Sequence, residues 1–283
     1  MDWTILTPSR NQLSWLRLCR ASVADQTGVT VQHVVQDAQS TDGTVEWLRT
    51  QPDVEAHIEA DDGMYDALNR GFARAQGELV AWLNCDEQYL PNVLARVAEY
   101  FKAHPGVDMV FGDIIMVDER GKYLWHRKVQ VPRLYHTLSC HLSTLSCAMF
   151  FRRRLIGPGG FHFDTSYRIV GDAEWMTRLL RAGVKMAALG EFTSVFTQTG
   201  QNLSRDARAA AEQARLAATA PGWARAARPL WILRHRLARW AAGAYRQGPF
   251  AFQLHTLEQL GERVERQVAV PRFRPVARMP KCH

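Results

Sequence analysis

Apolar runs of strand length, each closed by a polar turn and followed by a stretch with helical spacing, recur along this chain as far as about Ser204. Residues 4–7 predict a first strand, stopped by Pro8, Ser9, Arg10 and Asn11. Leu13, Leu16, Leu18, Ala21 and Val23 then repeat at helical intervals. Residues 31–35 predict a second strand, 45–48 a short helix, and Val54–Ile58 a third strand. Ala67, Leu68, Gly71, Phe72 and Ala75 mark another helix, closed by Gly77, with Asp62 standing where an N-cap would. Residues 79–83 are apolar without a break, the pattern of a strand covered on both faces, and end abruptly in Asn84, Cys85, Asp86 and Glu87. The alternation predicts an α/β fold with a mostly parallel central sheet flanked by helices.

Further along, Pro91 opens a helix over 91–103, residues 108–112 form a strand, and a hairpin joins 114–117 to Tyr123–Arg127 through a turn at 118–121. Residues 148–151 read as another strand. Asp172 begins a helix that turns Trp175, Met176, Leu179 and Leu180 inward. Near Ser204 the composition changes to an Ala- and Arg-rich helical segment, which predicts one domain over 1–204 and a basic, mainly helical extension over 205–283. Charge divides at the same place: the extension holds 15 basic and 5 acidic residues, net +10, and the rest 20 and 23, net −3. Within the extension Leu230, Leu233, Leu237, Trp240 and Ala244 fall on one stripe, flanked by Arg234, Arg236, Arg239 and Arg246.

Composition narrows the classes. A hydrophobic content of 47% is that of a globular protein. No apolar run of about 18 residues occurs, and Trp3, Thr4, Ile5 and Leu6 follow the amino terminus directly, so a soluble or peripheral cytoplasmic protein is expected. The five cysteines contain no CxxC and are expected as thiols. A zinc site at Cys140, His141 and Cys147 lacks a fourth ligand. Neither GxGxxG nor a P-loop follows the first strand, and Gly157, Pro158, Gly159 and Gly160 read as a flexible loop. The basic residues are not interleaved with a nucleic-acid motif, so no nucleic-acid partner is expected.

Candidate chemistry sits at strand ends, where open α/β sheets bind ligands. Asp86, after the continuously apolar strand, is placed for a cation, although a solvated turn has the same composition. Asp37, after the second strand, suits a base or ribose; Asp42 reads as a cap for the next helix. Asp113 reads as a strand-end turn residue.

The run Asp62, Gly63, Met64, Tyr65, Asp66, Ala67, Leu68, Asn69, Arg70, Gly71, with Leu83, Asn84, Cys85, Asp86, Glu87 beyond it, resembles the inverting family 2 glycosyltransferases of the GT-A fold. Asp37, Ser40, Asp42, Gly43 and Thr44 fit a second motif of that family, and the resemblance covers roughly residues 3–204. It implies that Thr7, Pro8, Ser9, Arg10, Asp37, Asp62 and Asn69 hold the nucleotide, and that Asn84 and Cys85 meet the donor sugar. It implies further that Asp86 ligates Mn²⁺ or Mg²⁺, that Asp172 is the catalytic base, and that His141 and Trp175 lie toward the acceptor. Gly171 stands where the family often has a first acid, and Asn84 and Glu87 depart from an all-acidic cluster.

The implied activity is inverting transfer from a nucleotide-diphosphate sugar, UDP-linked as first expectation, to a hydroxyl of a glycan or lipid-linked glycan in cell-surface polysaccharide synthesis. A sugar nucleotidyltransferase would share the sheet and the metal but needs a basic pocket, which Asp172 opposes. A non-catalytic membrane-associated assembly protein would be expected to lose Asp86 or Asp172. The basic stripe fits an anionic membrane at the inner face of the cell membrane, packing on its own domain, or a homodimer.

Overall fold

The computed structural model describes residues 1–199 and 208–273. The chain runs β1 (Trp3–Ser9), α1 (Leu13–Ala24), β2 (Val31–Asp37), α2 (Thr44–Leu48), β3 (Val54–Ile58), α3 (Met64–Arg74) and β4 (Leu79–Trp82). It continues through β5 (Glu87–Tyr89), α4 (Val93–Ala103), β6 (Met109–Val117), β7 (Tyr123–Arg127), α5 (Leu134–Ser139), β8 (Met149–Arg152), α6 (Gly171–Arg181) and β9 (Met186–Thr197). Then come α7 (Arg208–Ala218), α8 (Gly222–Ala226), α9 (Arg228–Ala241), β10 (Phe250–Thr256) and β11 (Gln259–Val268). Ser204, the expected boundary, and Cys282 lie outside the described residues.

Among the described residues one nine-stranded sheet has the order β3-β2-β1-β4-β8-β6-β9-β5, with β7 beside β6. The strands β3, β2, β1 and β4 are parallel, as are β6 and β9. The parallel arrangement stops where β8 enters antiparallel between β4 and β6, and β5 and β7 are antiparallel edges. The short turn from β6 to β7 permits only a hairpin. The break expected after residue 112 is absent, because β6 runs through Asp113 with a shift of register against β9. A Cβ on Gly112 would lie 2.1 Å from Thr193 Oγ1, so glycine is what lets β9 approach there. Asp113 is buried inside this strand rather than in a turn, and its carboxylate accepts the Val129 N–H at 2.7 Å.

Register sets the cleft. Ser9 of β1 lies level with Asp37 of β2, whereas β4 ends at Trp82 opposite Leu6, three residues earlier. The turn after β4 therefore folds up beside Pro8, whose carbonyl accepts the Cys85 thiol at 3.4 Å. Behind it, Phe72 of α3, Trp82 of β4, Phe151 of β8, Phe163 and Trp175 of α6 pack as one aromatic cluster. Its centroid separations run from 5.1 Å for Phe163–Trp175 to 6.5 Å for Phe72–Trp82. Edge-to-face rings add about 0.5–1.5 kcal/mol per pair beyond the area they bury.

The carboxyl-terminal region is not wholly helical: β10 and β11 form an antiparallel hairpin. Phe252 and Leu254 are buried at alternate positions, a period-2 signal available in the sequence. The hairpin docks on α1 and β5. Gln88 exchanges two hydrogen bonds with the His255 backbone, at 2.8 and 3.0 Å, and Arg263 grips Asp25 through Nε at 2.6 Å and Nη2 at 2.7 Å. Despite partial burial, His255 and Arg263 hold the Asp25 carboxyl below its ordinary range.

Helix α7 holds the loop before α6. Glu212 accepts the backbone N–H groups of Arg168, Ile169 and Val170 at 2.8–2.9 Å, and Arg215 lies over the Tyr167 ring at 4.2 Å. These N–H groups lead into the first turn of α6, where intrahelical acceptors are lacking. Glu212→Ala is expected to cost roughly 1–3 kcal/mol, the range for bonds to a charged acceptor. The denaturant midpoint checks this; an unchanged midpoint would mean that water replaces the carboxylate at no cost.

Candidate active site

A cleft of about 430 Å³ opens at the carboxyl ends of β1 and β4, within the range of small-ligand sites. Pro8, Ser9 and Arg10 form one wall and Asn84, Cys85 and Asp86 the floor. Asp61, Gly63, Met64 and Tyr65 come from the start of α3, Leu145 and Ser146 from the segment before β8, and Asp172 from α6. The structure thus brings together seven of the residues singled out above: Pro8, Ser9, Arg10, Asn84, Cys85, Asp86 and Asp172.

Glu87 explains the shape of the floor. It is fully buried, and its carboxyl accepts the Asn84 N–H at 2.8 Å and the Ser146 hydroxyl at 2.9 Å. Burial first, and then the charge of Asp86, push the Glu87 carboxyl well above the ordinary range. Its atoms are spent on the turn. Asp86 is accordingly the carboxylate of this pair that lines the cleft, with its backbone carbonyl tied to the Thr197 N–H at 3.2 Å. Its oxygens, with Asn84 beside them, are hard donors of the kind Mg²⁺ and Mn²⁺ prefer.

Also lining the cleft, Asp172 is the second residue of α6, inside the helix rather than at its N-cap, which is Val170. The Tyr65 hydroxyl donates to the Ile169 carbonyl at 2.9 Å and accepts the Asp172 N–H at 3.1 Å. A Cβ on Gly171 would meet the Tyr65 ring at 2.6 Å, so the missing first acid is excluded by Tyr65 packing into its place. The Asp172 carboxylate accepts the Ala173 N–H at 2.8 Å, and burial raises its pKa to about 6. A carboxylate so poised suits proton transfer near neutral pH.

Six residues named from the sequence lie elsewhere. Thr7 is buried, shares a 3.0 Å hydrogen bond with His33 and does not line the cleft. Asp37 is fully buried and accepts the Ser40 N–H and hydroxyl at 2.8 and 2.7 Å, leaving Ala38 to line the wall. Asp62 does not cap α3. Its N–H donates to Asp66, and the residue turned into the cleft is Asp61, which accepts the Gly63 N–H at 2.9 Å and whose carboxyl burial raises. Asn69 exchanges hydrogen bonds with the Phe163 backbone at 2.8 and 2.9 Å, bracing the aromatic cluster. Trp175 is fully buried there, with its indole N–H on the Phe161 carbonyl at 2.8 Å. His141 lies beside two other histidines. Asp42 accepts the Leu13 and Thr44 N–H groups at 3.0 and 3.2 Å, bracing the starts of α1 and α2. Tyr65 and Ser146 were missed; Tyr65 lay inside the matched run, whereas Ser146 carries no local signal.

Comparison with known proteins identifies the family. The sequence profile of Glycosyl transferase family 2 matches residues 4–157. A PGL/p-HBAD biosynthesis glycosyltransferase of Mycobacterium bovis is 32% identical over 183 residues, covering 62% of this chain and 68% of the relative. A glycosyltransferase of Nostoc is 30% identical over 49% of this chain and 44% of its own. In structure, Staphylococcus aureus TarS in complex with UDP superposes with a TM-score of 0.58 at 16% identity, over 85% of this chain and 72% of that one. The mannosyltransferase PcManGT of Pyrobaculum calidifontis, solved with GDP-Man and Mn²⁺, gives 0.54 at 19% identity over 87% and 81%. The match spans 60% of another TarS 1-349 chain and 44% of a longer TarS chain. This chain is a glycosyltransferase of family 2, with the GT-A fold.

Proposed function

We propose that this protein transfers a sugar from a nucleotide-diphosphate donor to an acceptor hydroxyl with inversion. The observation that carries the reading is that Asp86 and Asp172, distant in sequence, line one cleft together with Pro8–Arg10. Asp86 would hold a divalent cation, which when bound offsets charge growing on the leaving diphosphate. The wall Pro8–Arg10 seats the nucleotide. Asp172 takes the proton of the acceptor hydroxyl as its oxygen bonds to the anomeric carbon and the bond to the diphosphate oxygen breaks. A single displacement inverts that carbon, and base assistance is worth about 10²–10⁴ in rate.

UDP is the first donor to test, because TarS has been solved with UDP and UDP-GlcNAc; GDP follows from PcManGT with GDP-Man and Mn²⁺. Calorimetric titration with UDP, GDP and dTDP, each with and without Mn²⁺, is expected to find one nucleotide whose binding needs the cation and is abolished by Asp86→Ala. Binding indifferent to both changes would remove Asp86 from the site.

The base role predicts a pH profile. Asp172 acts only when ionised, so with its pKa raised to about 6, kcat/KM should fall about tenfold per pH unit below that value and level off above it. Asp172→Asn should abolish turnover yet bind nucleotide. At pH 7–8 it should melt no lower than wild type, because burial disfavours the ionised carboxylate it replaces. Substantial activity in Asp172→Asn would rule out this base.

A lipid-linked acceptor, with the protein peripheral at the inner face of the membrane, is supported by α9. Leu230, Leu233, Leu237 and Trp240 are 53–67% exposed on it, flanked by exposed Arg234 and Arg236. Ala244 and Arg239 are buried and do not belong to the exposed stripe. Among the described residues no helix is long and apolar enough to cross a membrane, so contact would be interfacial. Vesicles containing anionic lipid should co-sediment the protein at physiological salt, less so for a Leu233→Asp, Trp240→Asp variant. Full recovery of wild type in the supernatant would count decisively against this acceptor class.

A further inference from the structure

Folding takes Cys147 to the sheet and puts His141 among histidines. Cys147 is buried beside β8, its carbonyl accepting the Ser194 hydroxyl. His141, just after α5, instead meets His136 of α5 and His235 of α9. Ring centroids lie 4.2 Å apart for His136–His235, 4.8 Å for His136–His141 and 6.0 Å for His141–His235. One nitrogen from each ring falls within 4.8 Å of the others. A tetrahedral zinc with bonds of about 2.0–2.1 Å holds its ligand nitrogens roughly 3.4 Å apart, so the nitrogens must draw together and the stacked His136 and His235 rings must turn to close the set.

We propose that His136, His141 and His235 form a transition-metal site, with zinc the favoured ion, which fastens α9 to α5 and to the loop lining the cleft. Two features of the environment bear on it. His136 is buried and stands between the other two rings, shielded from competing water. Arg127, Arg133 and Arg239 add positive charge around the cluster, which opposes any cation held mainly by charge. Imidazole-preferring ions such as zinc, copper or nickel overcome that opposition through their bonds to nitrogen; Mg²⁺ does not. The site is therefore chemically distinct from Asp86.

Packing of neutral histidines without metal is the competing account, and the two differ in what the protein binds. The probe is Co²⁺ on untagged, chelator-treated full-length protein carrying Asp86→Ala, followed by visible absorption and displacement with Zn²⁺. The expected result is one equivalent bound with the intense bands of tetrahedral cobalt, no thiolate charge-transfer band, and complete displacement by zinc. Affinity should fall at least roughly tenfold with His235→Gln added. Zinc should also raise the melting temperature of the Asp86→Ala protein and leave that of the His235→Gln double variant unchanged. His141→Gln provides the same comparison if His235→Gln fails to fold. Absence of such bands, or bands that survive both substitutions, would overturn the site.

Discussion

The contact between Tyr65 and the first turn of α6 is the constraint on which the site depends. Its ring occupies the space over Gly171, and its hydroxyl bonds both Ile169 and Asp172. Because Tyr65 belongs to α3 and Asp172 to α6, the contact joins the two helices at the rim of the cleft. Beneath it, Phe72, Phe163 and Trp175 carry the same helices on one aromatic cluster. Close-packed interiors transmit displacement, so a shift of either helix would move Asp172 relative to Asp86.

Burial then divides the carboxylates by role. Glu87 and Asp86 are neighbours, yet Glu87 is enclosed and satisfied by Asn84 and Ser146, while Asp86 lines the cleft. The departure from an all-acidic cluster is thereby accounted for: the second acid braces the loop that presents the first. Asp172, partly enclosed, is raised into the range where a carboxylate can exchange protons near neutrality. Similar functional groups end with different tasks because their desolvation differs.

The carboxyl-terminal region takes part in this arrangement. Glu212 secures the segment that leads into Asp172, and the β10–β11 hairpin braces α1 and β5 through Arg263 and Gln88. Helix α9 carries four of the region's basic residues beside an exposed apolar stripe. The histidine cluster lies where this helix meets α5. One region therefore supports the segment that carries Asp172, offers a surface outward, and touches the loop that ends at Ser146.

By itself the sequence determined the strands and helices around the cleft, the family motifs, and the choice of Asp86 and Asp172, which both line the cleft. Those signals are local: periodicity, caps, and acidic residues at strand ends. It misplaced Asp62, Asn69 and Trp175, because a polar or aromatic residue inside a motif reads alike whether it faces ligand or core. Only the tertiary structure decided that Asp61 enters the cleft, that Glu87 is structural, and that Tyr65 replaces an acid beside Asp172. It alone joined His141 to His235 and Glu212 to Val170, since each pair meets through packing of elements distant along the chain, and local patterning does not encode which distant surfaces come into contact.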